Sequence, residues 1–92
     1  MNRVQKDITL VNKKGLHARP AALFVQLVDK LNVSVTIQKG QEKINGKSIM
    51  ALLTLGVECG TVLKLIVEGP EAQKAMEEFE KFFSKQEEDL MS

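Results

Sequence analysis

The chain has 92 residues, of which 43% are hydrophobic and 27% charged, and its formal net charge is +1. That length suits one compact domain over residues 1–92, and a chain this short buries only about 60–65% of the surface its unfolded form exposes, so every element must share one core. A near-neutral total with no Trp or Tyr excludes the strongly basic, base-stacking composition of a nucleic-acid binder.

The only cysteine, Cys59, cannot form an intramolecular disulfide, and the first residues lack the apolar run of a secretory signal. No apolar stretch approaches the roughly 20 residues that cross a bilayer. A cytoplasmic protein without a membrane span is therefore expected. Charge is unevenly distributed: residues 1–47 hold nine bases and three acids, whereas residues 48–92 hold four bases and nine acids. Such asymmetry is either ordinary surface charge or a basic functional face.

In chain order, Val4, Ile8 and Leu10 predict a half-buried strand over residues 3–11. After Asn12-Lys13-Lys14-Gly15, the helical spacing of Leu23, Phe24, Leu27, Val28 and Leu31 predicts a helix over about residues 18–30. Val33, Val35 and Ile37 alternate with polar residues, and Gly40 leads into Gln41 to Ile44, which predicts a hairpin. Asn45-Gly46-Lys47 is a turn signal, and Ser48 is the natural cap of a two-turn helix ending near Gly56. The run Val62 to Val67 predicts a last strand, stopped by Glu68-Gly69-Pro70, with the proline suited to the first turn of a closing helix. In that helix Ala72, Ala75, Met76, Phe79, Phe82 and Phe83 form one apolar face, and a polar, frayed tail is expected over about 85–92. The order implies an α+β two-layer sandwich with helices on one face of a single sheet and water on the other.

The only histidine, His17, lies between the first strand and the first helix in Gly15-Leu16-His17-Ala18-Arg19-Pro20-Ala21-Ala22. The first N–H groups of a helix lack intrahelical partners, and with the positive end of the helix dipole they form an anion site. Arg19 adds a permanently charged fork for phosphate oxygens, and Pro20 stiffens the first turn where a missing N–H costs little. Imidazole titrates near neutrality and is nucleophilic when neutral, and a phosphoryl group on it can be passed onward. No second histidine, cysteine cluster or phosphate-binding Gly-rich loop is present, so no metal site and no cofactor is expected, and a phosphoryl donor must come from outside.

At these residues the sequence resembles HPr, the histidine-containing phosphocarrier family of the bacterial phosphoenolpyruvate-dependent sugar phosphotransferase system. Gly15-Leu16-His17-Ala18-Arg19-Pro20-Ala21 matches the family's phosphorylation motif. Asn45-Gly46-Lys47-Ser48-Ile49-Met50-Ala51-Leu52-Leu53 matches its regulatory-serine motif, at the expected separation. The likeness runs from the first strand through Phe83. It implies an open-faced β-sandwich, with a four-stranded antiparallel sheet and three helices on one face (βαββαβα). It also implies that His17 takes the phosphoryl group on Nδ1 from phosphorylated enzyme I and gives it to the A domain of a sugar-specific enzyme II, with Arg19 assisting by charge and Ala18 and Pro20 at the helix start. The chain would thus be a carrier and not an enzyme, and a monomer is the simplest form for a protein that meets several partners.

Ser48 is explained fully as a helix cap. The resemblance adds that an ATP-dependent HPr kinase/phosphorylase modifies the matching serine in many relatives, and that Lys47, Ile49, Met50 and Leu53 correspond to the surface which that kinase and a transcriptional co-regulator recognise. Phosphate on Ser48 would sit at a helix N-terminus without unfolding it and would repel an acidic partner. Lys14 stands where the family usually has a small polar residue, and Gln26 and Asp29 lie where sugar-system relatives carry lysines. Two other readings stay open: a nitrogen-branch carrier, which Ala51-Leu52-Leu53 resembles whereas Lys47 to Met50 and Gly56 favour the sugar branch, and a regulatory binding module without phosphotransfer. Cys59 is expected to be a partly buried loop side chain and Met50 to pack, and the acidic residues from Glu77 onward are expected to form a solvated face.

Overall fold

The computed structural model describes residues 2–86. The elements follow in the order β1 (Arg3–Thr9), α1 (Ala18–Lys30), β2 (Ser34–Lys39), β3 (Glu42–Asn45), α2 (Ile49–Leu55), β4 (Val62–Glu68) and α3 (Ala72–Phe83). The four strands make one antiparallel sheet in the order β1-β4-β2-β3. Helix α1 connects β1 to β2 across the sheet, and β4 lies between them with Val67 opposite both Val4 and Val35. This register puts Leu63, Leu65 and Val67 of the central strand on the same side as Val35 and Ile37, where all five are buried.

The helices cover that side. Phe24 lies at the middle of the layer, with ring centroids 5.1 Å from Phe79, 5.6 Å from Phe82 and 5.1 Å from Phe83. The tilted rings suit the attraction between aromatic edges and faces. The apolar stripe of α1 is centred on Ala21, Phe24 and Val28, which are wholly buried, while Leu23, Leu27 and Leu31 flank it half-buried. The opposite face of the sheet carries Gln5, Asp7, Lys64, Thr36 and Gln38, yet its central Ile66 is only 7% exposed because Gln5 and Thr36 flank it on the neighbouring strands. On the edge strand β1, Lys6 shares its side with Val4 and Ile8 and bonds Glu80 of α3 at 2.9 Å. A charge at this place also discourages pairing with a foreign strand.

Several local expectations change. The first strand ends at Thr9 rather than at residue 11: the Leu10 N–H still bonds Thr61, but Val11 already turns to bond the Phe83 carbonyl. Pro70 does not enter the closing helix. It occupies the second position of a turn closed by the Ala72 N–H on the Gly69 carbonyl at 3.2 Å, and Glu71 is the residue before the first helical position. Cys59 is exposed, because the turn from Glu58 to Thr61 holds its thiol at the surface, 3.7 Å from the Val11 carbonyl. Met50 does not pack: it is 73% exposed, on the side of α2 turned away from Leu52 and Leu55. Of the expected frayed tail, Lys85 and Gln86 are held by hydrogen bonds, and residues 87–92 lie outside the described residues. Among the described residues no helix is long and apolar enough to cross a membrane.

Candidate functional site

The segment that leads to His17 is built as a closed turn. Asn12 is buried, accepts the Gly15 N–H on its carbonyl at 3.0 Å and donates its side-chain amide to the Gly15 carbonyl at 2.9 Å. Gly15 then adopts φ +76, and a Cβ there would lie 2.7 Å from the Val57 carbonyl oxygen. Only glycine meets both demands at low cost. The next residue, Leu16, is buried and donates its N–H to that same Val57 carbonyl at 2.8 Å. A loop that is local in sequence is thereby pinned to the strand of chain leaving α2, and His17 follows directly from the pin.

His17 is the N-cap of α1, with extended backbone (φ −101, ψ −165) and its carbonyl accepting the Ala21 N–H at 2.9 Å. Its side chain does not cap the helix, no acidic residue occupies the first turn, and Pro20 removes one of the early donors. The N–H groups of Ala18 and Arg19 therefore have no intrahelical acceptor. Arg19 is exposed and Pro20 buried, so the guanidinium is free to reach an anion while the proline ring anchors the turn in the core. The imidazole itself is half-buried, and its Nε2 is the buried edge.

Ser48 caps α2 as its sequence position implied: its hydroxyl accepts the Ala51 N–H at 3.1 Å. At the other end, Gly56 takes the left-handed conformation, and Lys39 donates its ammonium to the carbonyls of Leu55 and Gly56 at 3.1 and 3.0 Å. Ile49, Met50 and Leu53 are 39%, 73% and 38% exposed and share one side of this helix by their spacing. Lys47 is exposed beside the cap. Since Val57 holds Leu16, the C-terminal end of α2 is the end next to His17, and Ser48 stands roughly one helix length away, on the order of 10 Å for seven residues. The exposed apolar patch thus lies on the helix whose two ends neighbour the two motifs. The structure places the two motifs next to opposite ends of α2.

Asn12 and Val57 were not among the residues singled out from the sequence. The Asn-x-x-Gly spacing is a signal for the first; for Val57 there is none, because its role is a backbone carbonyl supplied from a distant loop. Two grooves lie elsewhere. One of about 590 Å³ is lined by Asp29, Asn32, Lys47 and Gly69 at the far end of α1, and another by Ser34, Thr36 and Lys43 on the sheet; neither includes His17. The half-buried His17 thus lies outside both grooves. Among the described residues no group of three or more metal-binding side chains is present.

Known proteins share these features. The protein family described as the PTS HPr component phosphorylation site matches residues 4–85. The HPr-like protein Crh of Halalkalibacterium halodurans is 42% identical over 90% of this chain and 99% of its own. The phosphocarrier protein HPr of Treponema pallidum is 36% identical over 87% of this chain and 91% of its own. The crystal structure of HPr from Bacillus anthracis superimposes with a TM-score of 0.85 at 35% identity, covering 90% of this chain and 99% of the other. Because the match spans β1 through α3 and includes the pinned loop with its histidine, the chain belongs to the HPr family of phosphocarrier proteins of the phosphotransferase system.

Proposed function

We propose that His17 accepts a phosphoryl group from phosphorylated enzyme I and donates it to the A domain of a sugar-specific enzyme II. The observation that carries this reading is the placement of the imidazole: its Nε2 is buried and it stands at a helix start whose first donors, Ala18 and Arg19, are not used by an acid. The Nδ1 lone pair attacks phosphorus, an N–P bond forms as the donor's bond to phosphorus breaks, and the proton stays on Nε2. In the second step a nucleophile of the acceptor attacks the same phosphorus and the N–P electron pair returns to Nδ1. Arg19 and the two N–H groups stabilise the charge on the phosphoryl oxygens during both steps. The chain works in the cytoplasm, where its exposed thiol at Cys59 is kept reduced.

Ser48 is the site of regulation in this reading. Phosphate there keeps oxygen acceptors in place for the Ala51 N–H and adds negative charge beside Ile49, Met50 and Leu53. At about 10 Å from the His17 loop it acts at the edge of the Debye length in physiological salt, so its effect falls on the docking surface more than on the imidazole. A second reading, a regulatory module that does not transfer phosphate, is favoured by the likeness to the HPr-like protein Crh. Incubation with phosphoenolpyruvate and enzyme I separates the two: the transfer reading expects acid-labile label that His17→Ala abolishes, and unlabelled protein or label that survives this substitution sinks it. Incubation with HPr kinase and ATP, followed by intact mass, expects one phosphate that Ser48→Ala removes; no added mass ends the regulatory proposal.

A further inference from the structure

Three bonds join the end of α3 to the loop that presents His17. The Val11 N–H donates to the Phe83 carbonyl at 3.4 Å. The Gln86 side-chain amide donates its N–H to the Val11 carbonyl at 2.7 Å, and its carbonyl oxygen accepts the Lys13 N–H at 2.9 Å. One primary amide therefore satisfies a peptide acceptor and a peptide donor on the two residues flanking Asn12, as a neighbouring β-strand would. Asn12 in turn holds Gly15 by two bonds, and Leu16 is held by Val57. The bonds form one continuous series from Gln86 through residues 11–13 and Gly15 to the peptide before His17. Gln86 lies one residue beyond the segment that matches the family.

We infer that Gln86 is a positioning residue for phosphoryl transfer: by bracketing Asn12 it fixes the turn that sets the depth and direction of the His17 imidazole. The inference rests on His17 as the phosphoryl acceptor. Its physical basis is that residues 11–14 belong to no strand or helix, so their peptide groups have no regular ladder to hold them. The pair of bonds from Gln86 adds to that order, beside the Val11 N–H on Phe83 and the Cys59 thiol on the Val11 carbonyl, and a nucleophile displaced by a fraction of an ångström from its line of attack loses rate without losing its binding surface. Ile49, Met50 and Leu53, on α2, do not depend on this bracket.

Gln86→Ala removes both bonds. Gln86→Glu keeps an acceptor for Lys13 but turns an oxygen toward the Val11 carbonyl. Steady-state transfer from phosphorylated enzyme I is measured for both, well below their melting temperatures, together with amide hydrogen exchange at Gly15 and Leu16. For Gln86→Ala a fall in kcat on the order of tenfold is expected, with KM unchanged within about twofold; Gln86→Glu is expected to fall as well, and exchange at Gly15 to rise in both. An unchanged kcat, a KM rise that accounts for the whole loss, or unaltered exchange at Gly15 and Leu16 overturns the inference. If the unaltered chain takes no label from enzyme I, the acceptor reading and this inference fall together, whereas normal labelling of an unaffected Gln86→Ala removes the inference alone.

Discussion

The tightest constraint near His17 is the approach of Gly15 to the Val57 carbonyl, and Gly15→Ala measures it. An L-residue at φ +76 costs about 1–2 kcal/mol. The added methyl would lie 2.7 Å from the Val57 oxygen and 3.3 Å from the Glu58 Cα, and both are backbone atoms that no rotamer change can clear. Relief requires the two loops to separate, which weakens the 2.8 Å bond from the Leu16 N–H to the same oxygen, a further loss of roughly 1 kcal/mol. The sum, about 2–3 kcal/mol, corresponds to a drop in Tm of roughly 8–24 °C for a domain of this size. Gly40→Ala is the control: φ is +60 there, but nothing lies within 4 Å of the added methyl, so only the conformational cost of about 1–2 kcal/mol applies. Urea unfolding gives both values. Transfer from enzyme I at 15 °C should fall on the order of tenfold for Gly15→Ala and stay unchanged for Gly40→Ala. Equal stability losses in the two variants, or normal transfer by Gly15→Ala, would refute the claim that this contact sets the position of His17.

Ser48→Ala should cost about 1 kcal/mol in urea unfolding, since it deletes the acceptor of the Ala51 N–H; a neutral result would mean that α2 does not depend on its cap. Phe24→Ala removes the ring that touches the other three phenylalanines and should cost about 3–5 kcal/mol, a large share of the whole stability of such a domain, visible as a Tm far below that of the unaltered chain. Lys39→Met keeps the aliphatic stem but loses both bonds to the end of α2; being partly solvated, it should lose roughly 0.5–1.5 kcal/mol, and a loss below the error of the measurement would show that water replaces the ammonium. His17→Asp should abolish labelling by enzyme I yet stabilise the fold by about 0.5–1 kcal/mol, because aspartate at an N-cap accepts the Arg19 N–H and meets the helix dipole.

Periodicity made much of the fold legible. Alternation in Val35 and Ile37, the helical stripe of Phe24 and Val28, and the stripe from Ala72 to Phe83 all mark surfaces that are buried in the same layer. These signals are local, and burial of one face enforces them. Ser48 was legible for the same reason, since a cap acts on a residue three positions away. The misread positions are set by partners far along the chain. Cys59 is a small thiol with no local pattern, and the turn on which it sits points it outward against Val11. Met50 carries an apolar side chain on the outer side of a helix too short to show a full stripe. Gln86 looked like part of a polar tail because its two partners, Val11 and Lys13, are at the opposite end of the sequence.

Position 17 is where the demands of the fold and of the proposed transfer conflict. A helix start prefers Ser, Asp or Asn, whose side chain would satisfy an N–H of the first turn; here it has a histidine that does not cap, no acid in the first turn, and a proline as its third residue. Left to itself such a start would fray. It is held instead from three other places: Pro20 and Ala21 are buried in the core, Leu16 is pinned to Val57, and Asn12 closes the turn on Gly15. The consequence is that, among the described residues, no side chain caps the donors of Ala18 and Arg19 at the positive end of the dipole. A negative group arriving on His17 completes the cap that the sequence omits, so phosphorylation should add to the stability of α1 as Asp at this position would. On the proposed transfer role, such a group would stay transferable, because the stabilisation would come from backbone donors and one exposed guanidinium, which a partner's surface can compete for, rather than from an enclosing pocket.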